Sequence, residues 1–175
     1  MTAALHQITM SYAVEDDRLL LRISTTEKKE YQLWLTRRFV SVLWSALMQV
    51  IEKEPGAKAA LEPSAKKAVM AMQHEEAVSA SDFSQNHDNE TENMTSDTGP
   101  LLVIGGKVVQ GDQGVTNLIL QTRSGPEVKV ALAKNLLHGL CRLLIETTMK
   151  ADWDMNLVVG DAAGFVVPDD RTQVH

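Results

Sequence analysis

Aromatic residues make up only 5% of this 175-residue chain, and there is a single cysteine, Cys141. One cysteine excludes any intramolecular disulfide. Cys141 falls in the apolar helical run Leu136, Leu137, Leu140, Leu143, Leu144, where a buried, inert thiol is expected. No apolar stretch approaches the roughly 20 residues of a membrane span, and the first residues lack the basic and apolar regions of a secretory signal. The expectation is a protein of a reducing, cytoplasmic compartment with no membrane segment. Without a secretory signal, the acceptor patterns at Asn89 and Asn93 are read as chance.

Catalytic and cofactor motifs are missing as well. His74-Glu75-Glu76 has no second histidine one turn away, so it is not a zinc helix. Gly105-Gly106-Lys107 lacks the upstream glycine and the hydroxyl residue of a phosphate loop. His138 and Cys141 stand side by side at helical i, i+3, but in an apolar run, which favours a satisfied core histidine over a nucleophile and base. His87, Asp88, Glu90 and Glu92 could touch a cation only if the metal supplied the ordering of a polar segment. The sequence assigns no catalytic residue, no metal ligand and no cofactor.

What the chain does have is an internal echo. Tyr31 to Lys53 recurs in degraded form 97 positions on, pairing Leu33 with Val130, Leu35 with Leu132, Phe39 with Leu136, Leu43 with Leu140 and Leu47 with Leu144. Each segment passes from period-2 alternation into helical spacing. Ile8, Met10, Tyr12 and Val14, then Leu19, Leu21 and Ile23, then Tyr31, Leu33 and Leu35 read as three antiparallel strands. Phe39, Val40, Leu43, Leu47, Val50 and Ile51 mark a helix, with Thr36 as its N-cap and Pro55-Gly56 as its stop. The second half repeats the order: a strand over 101–110 with a bulge at Gly105-Gly106, strands around Leu118 and Val130, and a helix from Lys134 to about Asp152.

The expected fold is α+β: a duplicated βββα unit with antiparallel sheet or sheets, two main helices on one face, and an insert. Residues 1–53 are the first copy and 101–160 the second, sharing one core. Residues 54–100 are the insert, with a helix over about 63–80 opening on Pro63 and an acidic, mobile linker over about 81–99; 161–175 form a loose tail, and 156–159 could add an edge strand. The net charge of -6 sits entirely in the insert, where three basic residues face nine acids. The two copies together are neutral, so global acidity does not exclude an anionic partner.

In topology alone, this order of strands followed by a helix in tandem is loosely similar to the Whirly and PUR single-strand-binding architectures. Each unit here is one strand short, and no motif of either family is present.

Arg37 and Arg38, and Lys134 in the second half, place cations at helix starts, where the dipole disfavours them by about 0.3 to 1 kcal/mol. An anion bound there, or a neighbouring carboxylate, would compensate. Tyr31 and Trp34 could stack bases beside these cations. Trp34 faces away from Tyr31, Leu33 and Leu35, and its counterpart is Ala131. With Trp44 it is a candidate partner interface.

The leading expectation is a non-catalytic interaction or assembly protein with a protein partner or as a homodimer. The alternative is a single-stranded nucleic-acid binder using Arg37, Arg38, Lys134, Tyr31 and Trp34. In that case the acidic insert competes for the basic surface, and deleting residues 81–98 tightens binding. A third reading, an enzyme with a site assembled from scattered residues, needs a deep pocket with converging polar groups.

Overall fold

A computed structural model describes residues 4–81, 92–93 and 99–161. The elements run β1 (Leu5–Ala13), β2 (Arg18–Thr25), β3 (Lys29–Leu35), α1 (Arg37–Glu52), α2 (Pro55–Ala59), α3 (Pro63–Ser79), β4 (Glu92–Asn93), β5 (Leu101–Gln110), β6 (Thr116–Thr122), β7 (Val128–Leu132) and α4 (Lys134–Lys150), with a short 3₁₀ turn at Asp112–Gly114. Among the described residues the architecture is mixed, with six main strands in one sheet and four helices.

The strand order is β1-β2-β3-β5-β6-β7, with the two-residue β4 beside the start of β3. The pairs β1–β2, β2–β3, β5–β6 and β6–β7 are antiparallel, but β3 meets β5 in parallel, Leu33 opposite Leu101 and Trp34 opposite Leu102. This corrects the purely antiparallel expectation. A tight hairpin must reverse the chain, whereas the long connection through α1, α2 and α3 can deliver β5 in the same direction as β3. The first and last strands, β1 and β7, approach one another again, so the sheet curls.

Alternation sets the two faces. Leu19, Leu21 and Ile23 of β2, Leu33 and Leu35 of β3, Leu118 and Leu120 of β6, and Val128, Val130 and Leu132 of β7 are buried in register. They form one apolar cluster with Val40, Leu43, Leu47 and Ile51 of α1 and Leu137, Leu140 and Leu144 of α4. Each such side chain removed from water contributes about 1.5–3 kcal/mol before the entropy of ordering is charged against it. On the other face, Leu20, Trp34 and Leu102 lie side by side across three strands, all half-buried.

The helices cross over. α1 lies closest to β5, and α4 lies closest to β1, also touching β7. The Thr36 hydroxyl caps α1 by accepting from the Phe39 amide at 3.2 Å. Ala133 at the matching place in front of α4 offers no side-chain cap.

α1 ends at Glu52, just ahead of Pro55-Gly56 as expected, and the same pair then opens the short α2, because proline suits a first helical turn. After α4 the chain is irregular; 156–159 adds no strand, and Val159 is buried in the core. Gly160 has φ 65° and packs its backbone on α3, where a Cβ would collide with the Lys67 carbonyl. The Asp161 amide donates to that carbonyl at 2.9 Å. Most of the expected linker (82–91 and 94–98) and the tail from 162 onwards lie outside the described residues. No described helix is long and apolar enough to cross a membrane.

Candidate functional site

Two features are built by the fold rather than by any local motif: a groove between α1 and β5, and a buried chain of polar side chains joining the start of α2 (Glu54) to α3 and α4. The groove encloses about 600 Å³. Arg38, Phe39, Val42, Leu43 and Ala46 recur at helical spacing and give one face of α1 to it. Leu102 to Val108 of β5 form the opposite wall, and Leu118 and Leu120 of β6 contribute to the lining.

β5 is shaped for this role. Its pairing with β6 slips between Val103 and Gly105, a bulge that turns the strand. Gly106 carries no side chain because a Cβ would lie 2.5 Å from the Ile119 carbonyl oxygen. Two apolar residues at this site stay in water: Ile104 is 59% exposed and Val42 63%. Three cations, Arg38, Lys107 and Arg123, complete the lining, and no carboxylate is part of it. Among the described residues none of the three has an ion-pair partner.

A second groove, of about 560 Å³, lies between α4 and β1. Asn135, Leu136, Gly139, Leu140 and Leu143 line it from the helix, and His6 to Met10 from the strand. Its charges, Arg142 and Glu146, bond each other at 2.8 Å.

The polar chain is anchored by His138, which is fully buried. Its Nε2 lies 2.8 Å from Glu54 Oε1, and its Nδ1 lies 3.1 Å from His74 Nδ1. With Glu54 as carboxylate, His138 Nε2–H donates to it. His138 Nδ1 then accepts from His74 Nδ1–H. Burial lowers the His74 pKa, and the neighbouring His138 and Arg142 lower it further against the opposing pull of Glu75 and Glu54. Glu54 Oε2 is buried without a hydrogen-bond partner, with Lys134 Nζ 3.9 Å away.

Because His138 uses opposite ring nitrogens, the three groups form a line and do not converge on a point where a metal could sit. Among the described residues no group of three or more His, Cys, Asp or Glu side chains is placed to hold one. Cys141 is buried, and burial together with the Glu54 charge pushes its thiol pKa far up, so it stays protonated.

The residues singled out from the sequence separate. Arg37, Arg38 and Trp44 come together along a shallow surface between α1 and the segment Asp154–Leu157. Lys134 is on α4, beside Glu54. Tyr31 lines a small recess of about 270 Å³ with Glu127 and Lys129, while Trp34 lies on the opposite sheet face. Nothing brings Tyr31 or Trp34 to the arginines.

Sequence reasoning missed Lys107 and Arg123, and it missed the partnership of His74, His138 and Glu54. These last lie 64 and 84 positions apart, so no local pattern could join them. The one available signal was a histidine in an apolar helical run, which demands a partner. Asp17 lies in the β1–β2 turn, and its role too depends on a residue far along the chain. Its carboxylate accepts from Tyr12 Oη at 2.9 Å and from Trp153 Nε1 at 2.8 Å, fixing that turn to the end of α4. Compared with family models, curated proteins and solved structures, the chain matches none of them.

Proposed function

We propose that this chain is a non-catalytic interaction protein built from two copies of one βββα unit, and that it meets its partner in the groove between α1 and β5. The observation carrying this reading is the groove itself: the exposed apolar side chains of Val42 and Ile104 on an apolar lining bordered by cations, with no carboxylate in it among the described residues. Exposed apolar surface of this kind, bordered by polar groups, marks a contact site. The polar chain of His74, His138 and Glu54 is closed on itself and presents no activated nucleophile, which suits a binding role better than a catalytic one.

The duplication is supported by the element bounds. A shift of 97 carries β2 onto 115–122, β3 onto 126–132 and α1 onto 134–149, beside the observed β6, β7 and α4. The crossed packing of α1 on β5 and α4 on β1 follows the same symmetry. The helix-free face around Trp34 is a second contact surface, suited to another copy of the chain. The lone buried thiol fits a cytoplasmic setting.

The test uses the anionic, apolar dye anilinonaphthalene sulfonate. Its fluorescence should rise on binding the native protein and fall back in Val42→Glu, a change at an exposed position that leaves the core intact. Dye binding unchanged by Val42→Glu would refute the assignment.

A second reading, single-stranded nucleic-acid binding, is favoured by the meeting of Arg37, Arg38 and Trp44 on one surface. Anisotropy of a labelled oligonucleotide at low and moderate salt addresses it. Salt-sensitive binding lost in the Arg37→Ala, Arg38→Ala variant would establish it, and no binding at low salt would remove it.

A further inference from the structure

The groove between α1 and β5 runs along the edge of a strand. Its lining takes seven consecutive residues of β5, Leu102 to Val108. Alternation puts neighbouring side chains on opposite faces, and Lys107, opposite Ile119, lies on the face away from Leu118 and Leu120. A cavity that touches every residue of such a run borders the backbone, whichever way the side chains point. Resting on the groove reading above, we infer that this groove is a strand-addition slot, in which an extended segment of a protein partner pairs with the free edge of β5.

The pairing pattern shows why that edge is free. β6 covers one edge of β5, from Val103 opposite Thr122 to Gln110 opposite Thr116. On the other edge β3 pairs only with Leu101 and Leu102. β3 then ends at Leu35, and α1, from Arg37, takes the chain out of the sheet. Among the described residues, no strand and no backbone hydrogen bond takes up the second edge from Val103 to Gln110. Alternate residues of a strand turn their N–H and C=O groups to each side, so about four amides and four carbonyls have no protein partner there.

Long edges of this kind are usually shortened, covered or twisted away, because they template further pairing. β5 has a bulge between Val103 and Gly105, yet Ile104 and Val109 are exposed, and Gly105 and Gly106 add no side chain to screen the backbone. An added strand would continue the seam that β3 makes with β5 at Leu33–Leu101 and Trp34–Leu102, taking the place that β3 vacates. Val103 to Gln110 spans roughly 23 Å at the rise of a strand, enough for a segment of about six residues. Its alternate side chains would enter the groove against Phe39, Leu43, Leu118 and Leu120, so that set is apolar, and β-branched residues suit the extended form. The other set would lie on the outer face with Lys107 and can be polar. A helical segment could cover the apolar wall but would leave the edge unpaired.

The probe is a labelled eight-residue peptide alternating Val with Ser, used with two isomers, one N-methylated at the Val amides and the other at the Ser amides. In an added strand only one of these sets faces β5. Anisotropy on the full chain should show saturable binding of one unmodified peptide per chain, retained binding of one isomer, and roughly tenfold or greater weakening of the other. Binding should be lost in Val42→Glu, with circular dichroism confirming that the variant is folded. Hydrogen exchange should show alternate amides between Val103 and Gln110 gaining protection in the complex.

Absence of saturable binding, an equal response to the two methylated isomers, or no gain of protection between Val103 and Gln110 overturns the proposal. Protection of the same amides without peptide, appearing as the chain self-associates at higher concentration, overturns it in favour of β5 from a second copy. Dye binding that is lost in Val42→Glu, with no peptide binding, sinks the strand-addition assignment alone. Dye binding that ignores Val42→Glu sinks the groove as a contact site.

Discussion

Removing the Glu54 carboxylate should expose how far the buried polar chain holds the helices together. In Glu54→Ala the fully buried His138 ring loses the acceptor of its 2.8 Å bond. A hydrogen bond to a charged group contributes about 1.5–3 kcal/mol, and a buried donor left unpaired bears its full desolvation cost. Two smaller effects modify this, the first adding to the loss and the second offsetting it. The exposed Lys134 ammonium, 3.9 Å from the carboxylate, adds no more than about 1 kcal/mol. Removing Glu54 also relieves the burial of Oε2, which has no hydrogen-bond partner.

The net expectation for Glu54→Ala is a loss of about 1–3 kcal/mol. In a chain of this size that lowers Tm by about 2–12 °C. The sharper quantity is the coupling. His138→Leu alone and Glu54→Ala alone should each destabilise, and the double variant should be less destabilised than their sum by about 1.5–3 kcal/mol. Urea unfolding of the four proteins measures it. A coupling below about 0.5 kcal/mol, the ordinary scatter of additivity, would refute the claim that this pair acts as a unit.

Three further outcomes follow from the same geometry. His74 has a lowered pKa in the folded state, so the unfolded chain binds its proton first; stability is fully present above the unfolded value of about 6.5 and falls as pH drops below it. Urea midpoints between pH 7 and pH 5 should show this decline, and His74→Gln should flatten it; an unaltered slope in that variant contradicts the assignment. Asp17 has a pKa lowered first by its bond from Trp153 and then by that from Tyr12, so its stabilisation holds above the usual carboxylate range and disappears as pH falls through the lower folded value. Asp17→Ala should alter the near-ultraviolet dichroism of Trp153 at neutral pH, and an unchanged spectrum would argue that the indole is positioned by packing alone. Cys141 should resist a thiol reagent in the native protein and react at the rate of unfolding, since only an opened chain frees its thiolate; rapid native labelling would contradict its burial.

The six main strands were legible because each half-buried strand repeats every second residue. Helix α1 was legible because Val40, Leu43, Leu47 and Ile51 repeat at three and four, and α3 announced itself by Pro63. The hydroxyl of Thr36 marked a helix start that the structure uses. The parallel join of β3 to β5 was not legible, since Leu33 and Trp34 meet Leu101 and Leu102 across a long helical connection whose own pattern does not set the direction in which the chain returns.

The site residues divided along the same line. Arg38 was found because it sits at a helix start, a local feature. Lys107 is on β5 and Arg123 just past the end of β6, and they gain meaning only where those strands pair beside α1. His74 was dismissed for want of a second histidine one turn away on its own helix, and the partner it has is on α4.

The crossed placement of α1 over β5 and α4 over β1 bears on how the chain folds. A half that had formed its three strands would still lack the helix that lies closest to its first strand, because that helix belongs to the other half. Neither half can settle first and wait. Completing the core therefore waits on contacts between segments distant in the sequence, which should slow folding relative to a chain of independent halves. Hydrogen exchange should then show amides of β2 and β6 losing protection together, in one cooperative opening.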